Sequence, residues 1–185
     1  VTSMLPQWAR LAWVAVLAGA AVVHLAHVVA MDGRQRWWHA GHTVMAAAMA
    51  AMYALPRMAH PSLYEAGAVL FSAGGAVLAV TTVSLWWRDR RVHHRWVLST
   101  ADFLVMAAMC AESPARLGLL AQLCAAYLTI EGLAWVFDVW GRIHQGRTGT
   151  EPARNPAVVT RTDLGARAML ATMAGGMAFM LVAAR

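Results

Sequence analysis

Lysine is missing from this sequence. All 15 basic residues are arginine, against nine acidic ones, and charged residues make up only 13% of the 185. Soluble domains carry about 25%. With 60% hydrophobic residues and a mean hydropathy of +0.52, the chain has too much apolar length for a water-soluble fold to hide. Cysteine is scarce as well. Cys110 and Cys124 form no CxxC pair and no zinc pattern, and their mismatched depths across the turn between two spans argue against a disulfide. No Ser/His/Asp set, P-loop or dinucleotide glycine fingerprint occurs, and Gly19 and Gly74-Gly75 lie inside apolar runs. Hydrolase and nucleotide chemistry therefore find no footing, and the chain reads as a non-enzyme. No cleavable leader is expected, because the first apolar run is too long and lacks a small-residue cleavage site.

What is present is apolar length in six pieces. A membrane-crossing helix needs about 20 mostly apolar residues. Six stretches qualify or come close: 10–31, 38–55, 66–87, 96–111, 117–139 and 164–184. The expected fold is an all-α integral membrane bundle of six transmembrane helices in one domain, 1–185, with 141–163 as a flexible cytoplasmic loop rich in Arg, Thr and Pro. The fourth span is the weakest, being short and holding Asp102. A net charge of +6 would suggest nucleic acid in a soluble chain. Here the arginines sit between apolar runs, so the expected partner is the lipid bilayer and not nucleic acid. The segments after spans one, three and five hold Arg34, Arg36, Arg88, Arg90, Arg91, Arg95, Arg142, Arg147, Arg154 and Arg161; the opposite side holds Arg10, Arg57, Arg116 and Arg185. The positive-inside rule then places the richer side in the cytoplasm, a plasma-membrane location, and both termini outside.

The donors follow a pattern. The stretch HAGHTVMAAAMAAM sets His39, His42, Met45, Met49 and Met52 on one face of a helix. Spans four and six carry Met106, Met109, Met169, Met173, Met177 and Met180, whereas spans three and five carry no methionine. This alternation fits three repeated hairpins, although the odd spans align poorly. Span one adds His24 and His27. A hairpin centred between Arg34 and Gln35 would set His27 level with His42, and His24 level with Met45. Intramembrane histidine is a functional signal, and a His cluster leading into thioethers suits Cu(I). Copper is thus the expected ligand, held by His24, His27, His42 and Met45 with His39 flanking. Met49, Met52, Met106, Met109, Met173, Met177 and Met180 would form an outer path. The bland alternative is that methionine merely fills core gaps.

Asp102, Glu131 and Arg167 are intramembrane charges, and Arg167 is expected to neutralise Asp102 or Glu131. Two further roles fit the same residues. One is a haem b subunit with a bis-His or His/Met axial pair. The other is a non-catalytic scaffold whose polar groups hold helices together, with a membrane partner subunit or a second copy of the chain. His60 reads as a solvated loop residue, His93 and His94 as interfacial, and His144 in the 141–163 loop is given no role.

The His39–Met52 stripe, with a last span reading Arg167-Ala-Met-Leu-Ala-Thr-Met-Ala-Gly-Gly-Met-Ala-Phe-Met180, resembles a family of small actinobacterial polytopic membrane proteins catalogued as a domain of unknown function. The resemblance covers most of the chain. It implies an all-helical membrane protein and brings no activity with it. The fourth span departs from the stripe, since Ser99 and Asp102 stand where span two has His42 and Met45.

Overall fold

The computed structural model describes residues 6–90, 94–112, 114–139 and 156–183. Helices account for nearly all of them: α1 (Gln7–Ala30), α2 (Gly33–Ala54), α3 (Pro61–Asp89), α4 (His94–Ala111), a single turn α5 (Pro114–Leu117), α6 (Leu119–Val136) and α7 (Pro156–Ala183). No strand occurs among the described residues. All six apolar stretches are helical, and the class is all-α as expected.

Three boundaries move for local reasons. Helix α2 begins at Gly33, not Trp38, because the polar turn Arg34-Gln35-Arg36 is a competent helix former even though it is not apolar. Helix α3 begins at Pro61, where proline's fixed φ suits a first turn. Helix α7 likewise starts at Pro156, inside the stretch expected to be a flexible loop. The rest of that stretch, up to residue 155, lies outside the described residues.

The long helices pack as three hairpins, α1 with α2, α3 with α4, and α6 with α7. The second member of each hairpin faces inward. Met45 and Met49 of α2, Met106 and Met109 of α4, and Met173, Met177 and Met180 of α7 are all buried in one core cluster. The first members look outward. Helix α1 buries only Leu17, Ala20 and His24, and exposes Leu11, Val16, Val22, Leu25 and Val29. So much exposed aliphatic surface on long helices is a surface for lipid. Helices α1, α3, α6 and the 164–183 part of α7 are long and apolar enough to cross a membrane, which makes this a membrane protein in contact with lipid.

Helices α2 and α4 do not meet that measure, and the reason is positional. Their polar side chains point into the bundle: His39 and His42 on α2, Ser99 and Asp102 on α4 are buried. A count of apolar residues treats a helix as though lipid surrounded it, whereas the polar face of each of these two is turned to protein.

Polar joints tie the hairpins to each other. Tyr53 donates to the Gly176 carbonyl at 2.9 Å, and Trp13 stacks between Tyr53 and Phe179 at 5.7 and 5.9 Å, joining the first and third hairpins. The Trp38 indole donates to Ser99 at 3.0 Å, joining the first and second. Tyr127 donates to Asp102 at 3.2 Å, joining the second and third. Arg57 covers the end of α4, donating to the carbonyls of Met109, Cys110 and Ala111. These are last-turn carbonyls with no partner inside the helix.

Candidate functional site

The histidines of α1 and α2 do meet. His24 Nδ1 and His39 Nδ1 are 3.0 Å apart. The ring centroids of His24 and His42 are 5.4 Å apart, and those of His27 and His39 are 4.8 Å apart and stacked. The register differs from the expected one. The link is only Met31-Asp32, with Gly33 at φ +65 opening α2. The hairpin is therefore centred three residues earlier than Arg34-Gln35, and His24 faces His39 where Met45 was expected. His39, expected to flank the cluster, sits at its centre. Packed rings are not yet a ligand shell. No group of three or more His, Cys, Asp or Glu among the described residues is arranged to hold a metal ion.

A different donor set lines a small cavity just beyond the histidines. About 10 Å³ in volume, it is bordered by His42 and Met45 of α2 and by Met173 and Met177 of α7, with Asp102 and Glu131 on its wall. That is close to the space one water or ion needs. The His42 Nδ1 lies 2.9 Å from the Trp38 carbonyl. A carbonyl only accepts, so Nδ1 carries the proton and Nε2 keeps its lone pair. A ring held through one nitrogen by a backbone carbonyl is the usual arrangement of a metal-binding imidazole.

Both carboxyls of the wall are buried, as Asp102 is 6% and Glu131 5% exposed. Asp102 accepts from Tyr127, and Glu131 Oε1 accepts from the Trp135 indole at 3.3 Å. Glu131 Oε2 has no partner. An unpartnered carboxyl oxygen in such a place is costly, and a cation or a proton in the cavity would satisfy it. Arg167 does neither. Its Nη1 pairs with Asp138 at 2.7 Å, not with Asp102 or Glu131. Asp138 lies just beyond the end of α6, about two helical turns past Glu131, and so meets Arg167 near the helix ends.

Three partners escaped the reading of the sequence, Tyr127, Trp135 and Trp38, whereas Glu131 was among the expected intramembrane charges. Tyr127, Glu131 and Trp135 recur at four-residue steps and so share one face of α6. Trp38 stands four residues before His42. Both spacings are visible in the sequence, but spacing alone does not show which neighbouring helix such a face meets.

The expected outer path is buried. Met49, Met106, Met109, Met173, Met177 and Met180 belong to the core, and Met52 packs against it. Met52 Sδ and Cys110 Sγ are 4.0 Å apart. Cys110 and Cys124 are both free. No curated protein and no solved structure matches the chain. A family model does match, over residues 34–184, a span that takes in His39, His42, every residue of the cavity wall and all three inward-facing helices. The chain belongs to that family, a domain of unknown function designated DUF5134.

Proposed function

We propose that this chain is a six-span protein of the plasma membrane, with both termini outside, whose interior binds Cu(I) for metal handling or transfer. The single observation that carries this is the cavity combining one imidazole, His42, with three thioethers, Met45, Met173 and Met177. Thioether and imidazole donors suit Cu(I). The donors come from two hairpins more than a hundred residues apart in sequence, so only the folded chain assembles them. Asp102 and Glu131 beside them supply countercharge through one carboxylate at most, since two carboxyls on one buried wall do not both stay ionised. The buried methionines running from the cavity along α2, α4 and α7 supply further soft donors. Six crossings are supported by the pairing into three hairpins, and the orientation rests on the arginine distribution.

The test is a titration of detergent-purified full-length chain with Cu(I) against a chromogenic chelator. The unmodified chain is expected to retain copper. Replacing Met173 and Met177 with Leu keeps the volume and hence the packing, and should weaken retention by about tenfold or more, on the order of 1.4 kcal/mol. A chain that yields all its copper to the chelator, or a double variant that binds as well as the parent, would overturn the proposal.

One observation favours a second, structural reading. The His24–His39 contact joins two helices directly, as polar groups between membrane helices commonly do. A metal-free preparation destabilised by loss of His39 would support the scaffold role. The haem b alternative draws less support, because the facing imidazoles touch and leave no gap for a porphyrin between them.

A further inference from the structure

A second cavity, of about 440 Å³, opens where the hairpins meet at the arginine-rich end. Its volume falls in the range of small-ligand pockets, about 300–1,000 Å³. Each hairpin contributes a guanidinium from its second helix: Arg34 from α2, Arg95 from α4 and Arg167 from α7. Among the described residues no acidic side chain lines it. Two buried nitrogens at its border have no partner, His27 Nδ1 and Arg167 Nε, although Arg167 is paired through Nη1. Trp38, Trp96 and Trp135 add three indoles to its wall.

We infer that this cavity binds the phosphate group of a phosphorylated ligand. Guanidinium forks match phosphate oxygens in pairs. Cations arriving from three separate helices surround a tetrahedral anion, whereas a planar carboxylate is satisfied by one fork in its own plane. The volume far exceeds one phosphate, so the ligand carries an organic remainder against the indoles. A phospholipid headgroup and a soluble phosphate ester share this chemistry, and tryptophan at a helix end suits either at the membrane boundary. The inference stands apart from the copper proposal, since it uses neither the methionines nor His42.

The test is ligand retention by full-length chain in detergent, followed by native mass spectrometry, with phosphatidylglycerol, phosphatidylcholine and glycerol 3-phosphate as probes. Phosphatidylglycerol held more tightly than phosphatidylcholine, and not displaced by glycerol 3-phosphate, supports the site and assigns it to a lipid headgroup. Displacement by glycerol 3-phosphate supports it and assigns a soluble ester. The double variant Arg34→Gln/Arg95→Gln should weaken binding by roughly tenfold or more, as loss of charge-assisted hydrogen bonds requires. Competition by inorganic phosphate on the unmodified chain gives a readout that does not depend on the variant folding. Equal retention of the two lipids with no response to either phosphate probe, or undiminished binding by a folded double variant, would overturn the inference.

Discussion

Gly175 and Gly176 are neighbours in α7 with opposite surroundings, and replacing each by alanine tests how the hairpins dock. A Cβ at Gly175 would meet nothing within 4 Å. A Cβ at Gly176 would lie 3.1 Å from Met49 Cε and 3.2 Å from Trp13 Cζ3. The methionine tip can move aside. The Trp13 ring has less freedom, because Tyr53 stacks on it at 5.7 Å and Phe179 at 5.9 Å. Both substitutions gain the same helix preference, about 1 kcal/mol for alanine over glycine, so that contribution cancels in the comparison. What remains at Gly176 is the cost of overpacking, typically about 1–3 kcal/mol. The shift also strains the Tyr53 bond to the Gly176 carbonyl. Gly176→Ala should therefore melt below Gly175→Ala by several degrees, at roughly 2–4 °C per kcal/mol for a chain this long. The assay is thermal unfolding of the two purified variants in the same detergent, followed by helical signal. Equal melting temperatures would mean that the first and third hairpins do not meet at Trp13. The cavity lined by Met45, Met173 and Met177 would then lose its foundation, since the same joint brings those helices together.

Other perturbations have defined outcomes. Tyr127→Phe removes the donor to Asp102 and should lower unfolding stability by about 0.5–1.5 kcal/mol; an unchanged denaturation midpoint would show that the second and third hairpins are not joined there. His39→Leu leaves His24 Nδ1 without a partner and should cost about 1–3 kcal/mol, while His24→Leu/His39→Leu should recover part of it. A double-mutant cycle with zero coupling would contradict the 3.0 Å contact. A protonated imidazole cannot bind metal, so copper retention should be complete where His42 is neutral and decline as the pH falls. His42→Met should flatten that dependence, and an equally pH-sensitive His42→Met would rule His42 out as the ligand.

The helices were legible because apolar length is a one-dimensional property, and the inward face of α2 was legible because its donors repeat at helical spacing. The hairpin grouping followed from methionine appearing only in alternate spans after the first. What could not be read was rotation and depth. The expected turn fell at Arg34-Gln35 because polarity was taken as the end of a helix. Arg34, Gln35 and Arg36 are instead the first turn of α2, and the chain reverses at Met31-Asp32. A three-residue error there replaced the His24–His39 contact with a level match between His24 and Met45. Arg167 was matched to the carboxyls nearest in expected depth, but Asp138, with its positive φ just past α6, reaches it first. The large cavity was invisible for a related reason. Its three arginines lie far apart in the chain and converge only when three hairpins close around one end.

Helices α1 and α3 are strongly apolar, and each is followed by a partner that falls short of what is needed to enter lipid alone. In the six-span arrangement, α2 and α4 would leave water only alongside the helix before them, with the polar residues of each turned toward protein as the two fold back. Biosynthesis of such a chain would proceed in units of two crossings. A charge introduced on the outward side of α1 would then cost the cell two spans in place of one.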